Sequence, residues 1–379
     1  PKISDAQWEK ARGNWDMEKR PSDEFFACGA DAVVAYEADA PISAETGTKT
    51  VFEHALEQVM SGERGKVYVG HDWRDMTQPM PIPRMELFRG IKRFKYALIG
   101  FKGFFGKWRG LYGVIETSRG CTEECAFCFV REFWGPHRLR PVDHVIDEIK
   151  QRGFSNVLFS DDSFGTLGRK VTDRDKELLE KLVELKINWI AQVNFKFIEE
   201  MFDEAGNLSE FGKLVKRSGC QALYAGLESV IPESLQAVSK RTVDLDKTDM
   251  LIRGLVKNGI LPYVTTMMGL SDNEGMDVFR RTADRIAAAS VFNYSFTIIC
   301  PGTDLYREFK AQDRFFVPDP FGVHPNYVPK RMGAEFSKEY PRIKEKEMLV
   351  MMEHLFWNDL VQRFYSPWNI FRRIIAHRH

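Results

Sequence analysis

The chain has 379 residues, 44% of them hydrophobic, enough for one large α/β unit with a smaller one beside it. Lys plus Arg number 54, as do Asp plus Glu; the net charge is zero, so a general polyanion or nucleic-acid binder is not expected. Six cysteines are few and unevenly spaced for this length, which suits a reducing compartment where cysteines bind metal.

No stretch reaches the roughly 18 consecutive apolar residues of a membrane span. No basic segment followed by an apolar run opens the chain, so no secretory leader is expected and a cytoplasmic location is. Pro1 fits either loss of an initiator methionine or a piece cut from a longer protein.

Residues 1–90 read as a small α/β segment plus linker. Ala30–Tyr36 and Lys66–Val69 are strand candidates around a helix at Val51–Met60, and Asp75–Met85 holds three prolines. Arg89–Arg109 carries seven Lys or Arg, no acid, and the aromatics Phe94, Tyr96, Phe101, Phe104, Phe105 and Trp108. Trp368-Asn-Ile-Phe-Arg-Arg-Ile-Ile is similar in type. Such stretches suit peripheral membrane contact, the border of a pocket for a hydrophobic substrate, or a linker packed on the main domain.

From Leu111 the pattern alternates. Strand candidates are Leu111–Glu116, Asn156–Ser160, Ile187–Val193, Gln221–Leu227, Leu261–Met267 and Val291–Ile299. Helix candidates between them are Pro141–Arg152, Thr172–Leu185, Asp203–Ser218, Asp244–Asn258 and Glu274–Ala289. This succession predicts a parallel sheet with crossover helices, a partial (βα)6 TIM-like barrel over residues 91–310. The strands are mostly apolar throughout, which predicts both faces covered. Residues 311–379 read as a C-terminal helical extension.

In such folds chemistry gathers at the C-terminal ends of strands. Polar residues stand there repeatedly: Asp161 and Asp162, Gln192 and Asn194, Glu228 and Ser229, then Cys300-Pro-Gly-Thr. The run Glu116-Thr-Ser-Arg-Gly-Cys-Thr-Glu-Glu-Cys-Ala-Phe-Cys follows the first strand and spaces Cys121, Cys125 and Cys128 as C-x3-C-x2-C. Three thiolates with no fourth nearby cannot close a tetrahedral zinc site or hold all four irons of a cluster, so one metal position stays open. A zinc site completed by a distant residue is the structural alternative.

The cysteine run, with Phe127 before its last member, resembles the radical S-adenosylmethionine (SAM) superfamily. Val157-Leu-Phe-Ser-Asp-Asp-Ser-Phe, Tyr224-Ala-Gly-Leu-Glu-Ser, Cys300-Pro-Gly-Thr-Asp-Leu-Tyr, Phe133-Trp-Gly-Pro-His-Arg-Leu-Arg, Gly29-Ala-Asp-Ala-Val-Val and Phe364-Tyr-Ser resemble the subgroup that carries a cobalamin-binding domain. The resemblance spans roughly Gly29 to Tyr365. It departs in one respect: the cobalamin-ligating D-x-H-x-x-G is missing, so residues 1–90 match only the end of such a domain.

The resemblance implies that Cys121, Cys125 and Cys128 hold three irons of a [4Fe–4S] cluster and that SAM binds the fourth. It implies SAM-contacting roles for Phe127, Asp161, Asp162, Gln192, Asn194, Glu228 and Ser229. Reductive cleavage of SAM would yield a 5′-deoxyadenosyl radical that takes hydrogen from an unactivated carbon. The expected substrate is a large, hydrophobic small molecule such as a tetrapyrrole or isoprenoid lipid, and the reductant a flavodoxin or ferredoxin. Oxidation or rearrangement without cobalamin is slightly favoured over cobalamin-dependent methylation because of the missing motif. A non-catalytic iron–sulfur or zinc protein is the remaining alternative.

Overall fold

Residues 30–35, 41, 49–69, 73–80, 112–165, 172–286, 289, 291–315 and 329–339 are described by a computed structural model. The basic aromatic stretch Arg89–Arg109, the C-terminal Trp368 segment and Phe364-Tyr-Ser lie outside them. Among the described residues no helix is long and apolar enough to cross a membrane.

The small N-terminal unit is a single βαβ piece. β1 (Ala32–Ala35) and β2 (Lys66–Val69) pair in parallel, with α1 (Val51–Met60) between them in the chain. Thr50 caps α1: its hydroxyl accepts from the Glu53 amide at 3.1 Å, and Glu53 accepts from the Thr50 amide at 2.8 Å. Val51 and Ala55 are buried against Tyr68.

In the larger unit β3 (Tyr112–Ile115) leads into β4 (Ser118–Arg119), then α2 (Val130–Trp134) and β5 (Arg138–Leu139). β4 and β5 pair antiparallel and close the neck of the loop that carries the three cysteines. α3 (Val142–Arg152), β6 (Asn156–Phe159), α4 (Asp173–Leu185) and β7 (Asn188–Val193) follow. Next come α5 (Phe195–Glu200), α6 (Glu210–Arg217), β8 (Cys220–Glu228), α7 (Pro232–Ala237) and α8 (Leu245–Lys257). β9 (Leu261–Met268), α9 (Val278–Arg285), β10 (Val291–Phe296), α10 (Asp304–Ala311) and α11 (Lys330–Glu339) complete the described chain. The sheet order is β10-β9-β8-β7-β6-β3, every neighbour parallel, which is the expected partial six-stranded barrel.

All six expected strands form, with small shifts at their ends. Two helices differ from expectation. Asp203–Ser218 becomes α6 alone, because Asp203 accepts from the Asn207 amide in a turn and Ser209 caps the helix through Gly212 N at 3.1 Å. Glu274–Ala289 becomes α9 alone, because Glu274 is drawn into the interior instead of opening the helix.

The core lies between the sheet and its helices. Trp189 is its centre, 5.1 Å from the Phe164 ring and 5.8 Å from that of Phe159. Its indole N–H donates to Ser218 at 3.0 Å, so the buried nitrogen is satisfied. The opposite face of the sheet is not fully covered, contrary to the expectation. Val114 is 57% exposed and its cross-strand partner Leu158 is 36% exposed, while their chain neighbours Ile115 and Phe159 are buried. A six-stranded sheet curves without closing, and among the described residues its inner face is left open at β3 and β6.

Candidate active site

The cysteine loop is anchored at its base by Asp161. Its Oδ1 accepts from the Thr117 amide at 2.7 Å and its Oδ2 from the Ser118 hydroxyl at 2.8 Å and from the Thr117 hydroxyl. Arg140 adds a backbone bond to the Thr117 carbonyl at 2.9 Å and a guanidinium bond to the Glu116 carbonyl at 2.6 Å. Burial pushes the Asp161 carboxyl up to about 6, against the lowering pull of those donors.

Gly120 then turns the chain with φ +82°, where a Cβ would sit 3.3 Å from the Gly135 and Pro136 carbonyls. The loop is tied from two further sides. The Ala126 amide donates to the Val238 carbonyl at 3.0 Å, and the Ala126 carbonyl accepts from the Leu305 amide at 3.0 Å. Ala126 and Phe127 pack on Ile299, Leu305 and Phe309. The ties come from the β6 exit at Asp161, from Val238 at the C-terminal end of α7 and from Leu305 in the first turn of α10.

Cys121, Cys125 and Cys128 are half-buried and line one cavity of about 200 Å³. Burial pushes all three thiols up, Cys125 to about 12, while the Lys240 ammonium draws each of them down. As free thiols they are protonated; coordination by a metal is what would deprotonate them. Among the described residues no three Cys, His, Asp or Glu side chains converge on a point where a single ion would bind. A cluster takes each thiolate on a different iron. Cys220 is buried in the core, and Cys300 does not line the cavity. Three thiols on one cavity are one donor short of a closed tetrahedral zinc site and match three of the four irons of a cluster. A larger cleft of about 1330 Å³, lined by Thr122–Glu124 and by residues of α5 and α8, contains none of the three thiols.

Of the other expected site residues, Phe127, Asp162, Gln192, Asn194 and Glu228 line the same cavity. Asp162 is pushed up by burial and pulled down by the Gly120 amide. Its carbonyl accepts from the Gln192 side chain at 2.9 Å. Asn194 also caps α5, accepting from the Phe197 amide at 2.9 Å. Two residues do not reach the cavity. Asp161 lies fully beneath the loop with its oxygens engaged as described. Ser229 is buried and donates to Glu274 at 3.1 Å. Arg138 and Arg140 serve the scaffold: Arg138 donates to the Trp134 and Arg74 carbonyls, and Arg140 pairs with Glu148 at 3.0 Å.

Glu228 owes its direction to an irregular strand end. The β8–β9 register slips between Gly226 and Glu228, and Glu228 has φ +62°. That backbone costs about 1–2 kcal/mol for a residue with a side chain. Its carboxylate meets the Lys240 ammonium at 3.2 Å, both side chains nearly buried. A Cβ on Gly226 would lie 2.0 Å from Glu228 Oε1, so only glycine leaves room for the pair.

Two residues of this region carry no sequence signal. Lys240 follows a short helix inside a Ser-Lys-Arg run that looks like ordinary solvated surface. Glu274 is wholly buried and accepts from the Gly269 amide at 2.5 Å as well as from Ser229, tying the β8 and β9 exits together.

Residues 115–286 match the family model described as the Radical SAM superfamily. The bacteriochlorophyllide d C-12(1)-methyltransferase of Chlorobaculum tepidum is 26% identical over 298 residues, 76% of this chain and 59% of that protein. The bacteriochlorophyllide d C-8(2)-methyltransferase of the same organism is 24% identical over 314 residues, 78% of this chain and 61% of that protein. The chain thus spans about three fifths of the length of these relatives. Among solved structures, that of the cobalamin-dependent S-adenosylmethionine radical enzyme OxsB with aqua-cobalamin bound superposes with a TM-score of 0.56 at 14% identity, covering 95% of this chain and 62% of that one. At that identity the likeness establishes the fold.

Proposed function

We propose that this chain, which matches the Radical SAM family model over residues 115–286, cleaves one SAM reductively to activate an unactivated carbon of a large, hydrophobic substrate, and that the methyl group placed on that carbon comes from a second SAM, the reductant supplying both electrons. The observation that carries the reading is the set of three half-buried thiols on one pinned loop, facing a cavity also lined by Asp162, Gln192 and Glu228. Cys121, Cys125 and Cys128 would each ligate one iron of a [4Fe–4S] cluster. When bound, that cluster supplies an electron to the SAM sulfonium.

The residues of this chain do the positioning. Asp162, Gln192 and Glu228 offer acceptors and a donor for the polar groups of SAM, and Phe127 supplies an apolar wall. Asp161 and Ser229 act from behind: Asp161 holds the loop base, and Ser229 holds Glu274. The open inner sheet face, with Val114, Leu158 and the Tyr224–Tyr263 ring pair at 4.5 Å, suits an apolar substrate.

The methyltransferase reading gains from the named activities of both Chlorobaculum relatives, and their substrate suggests a tetrapyrrole. For cobalamin the described residues do not show a fit. The βαβ unit holds no D-x-H-x-x-G, and its His54 stacks edge-on against Tyr68 at 5.6 Å.

The test is anaerobic reconstitution with iron and sulfide, then dithionite, SAM and bacteriochlorophyllide d, with and without hydroxocobalamin. Methylated pigment is the expected product. 5′-Deoxyadenosine without any methylated pigment would return the reading to oxidation or rearrangement. No turnover of SAM by protein with a full cluster would overturn it.

A further inference from the structure

Lys240 is a buried cation in the cavity wall that neither the expected site nor the strand-end pattern includes. Its side chain is 10% exposed, and among the described residues the hydrogen-bond partner of its ammonium is Glu228 Oε1 at 3.2 Å. The fold fixes it closely. The Lys240 amide donates to the Leu235 carbonyl at 2.9 Å, and Ser239 before it adopts φ +56°. Two residues upstream, the Val238 carbonyl accepts from Ala126, inside the cysteine loop itself. The segment carrying the cation is therefore hydrogen-bonded to the segment carrying the thiols.

A buried Lys–Glu pair is a poor stability device, because desolvating two ions offsets most of their attraction. Its position suggests another use. Lys240 and Glu228 line the same cavity as Cys121, Cys125 and Cys128, so both charges stand in the wall of the space that the thiols face. Three thiolates and the sulfides they help to hold would concentrate negative charge in a confined space. A fixed cation beside them stabilises each added electron.

We infer that the Glu228–Lys240 pair is an electrostatic positioning device for the cluster, in which Lys240 offsets its negative charge and Glu228 both holds Lys240 and moderates it. The inference rests on the cysteines holding a cluster. It requires the two members of the pair to act on the cluster with opposite sign.

The experiment is a dye-mediated redox titration of the reconstituted full chain, followed by electron paramagnetic resonance, without SAM. The variants are Lys240→Met, Lys240→Arg, Glu228→Gln and the double Glu228→Gln/Lys240→Met. Lys240→Met should move the midpoint to more negative potential and Glu228→Gln to more positive. Lys240→Arg should stay near wild type, and the double variant should shift less than Lys240→Met. The double variant leaves no unpaired buried ion, so it keeps the test readable if Lys240→Met folds poorly. Normal iron content with unmoved midpoints, or shifts of the same sign for Lys240→Met and Glu228→Gln, would overturn the inference alone. Wild-type protein that binds no iron would overturn the cluster reading and this inference with it.

Discussion

The Thr117 amide donates to Asp161 Oδ1 at 2.7 Å across 44 positions of sequence, fastening the entry of the cysteine loop to the end of the neighbouring strand. Asp161 was expected to touch SAM; its placement suits it instead to holding the loop that the thiols stand on. Asp161→Ala should leave the Thr117 and Ser118 donors buried without an acceptor. A stability loss of about 2 kcal/mol or more follows. Urea unfolding measures it, and iron bound per chain after reconstitution should fall in parallel. Unchanged iron content would show that the anchor is dispensable.

The same carboxyl gives stability a pH dependence. Asp161 is raised from an ordinary 3.8 to about 6, so the folded state keeps a proton that the unfolded chain releases. Stability from this group is fully present below about pH 4 and is lost as pH rises through 6. The fall is about 3 kcal/mol for a shift of roughly two units. Urea unfolding from pH 4 to pH 7 should show that slope in the wild type and a flatter one in Asp161→Asn. Parallel curves would exclude it.

Gly226 leaves room for its neighbour's charge. Gly226→Ala would place a methyl 2.0 Å from Glu228 Oε1, forcing the carboxylate away from Lys240. A destabilisation of about 1–3 kcal/mol is expected, with part of it relieved when Glu228→Ala is added. Thermal unfolding of the two single variants and the double closes the cycle. Strict additivity would mean that the methyl collides with something else.

Glu274 ties the exits of β8 and β9 through the Ser229 hydroxyl and the Gly269 amide. Glu274→Leu removes both acceptors and should cost about 2–4 kcal/mol. Hydrogen exchange at Gly269 should accelerate before the sheet as a whole opens. If it does not, the tie is not what protects that amide.

Serine at Cys121, Cys125 and Cys128 together should abolish iron binding and leave far-ultraviolet circular dichroism unchanged, since none of the three belongs to the main core. Iron retained at full stoichiometry would sink the ligand assignment.

The parallel sheet was legible because apolar runs alternating with helical periods admit few arrangements, and short connections force crossovers. The cysteine loop was legible because its three cysteines are local, all within eight positions of one another. Asp162, Gln192 and Glu228 could be named from strand ends alone, since parallel strands deliver their C-termini to one rim. Asp161 and Ser229 stood beside them with equal standing in the sequence. Which member of each adjacent pair faces the cavity depends on the local turn of the backbone.

The strand succession, the loop with its three cysteines and the common rim of the strand ends were readable from the residues, because each follows from local spacing or from short-range chain geometry. The completed fold settled that Val114 and Leu158 on the inner sheet face are exposed, that Glu274 leaves its helix for the interior, and that Lys240 lines the cavity of the thiols. Those outcomes depend on a register slip at Gly226, on burial, and on hydrogen bonds such as Ala126 to Val238, which join segments more than a hundred residues apart. A lysine in a polar run has no local property that distinguishes solvent from a buried pair; only the completed fold supplies the partner.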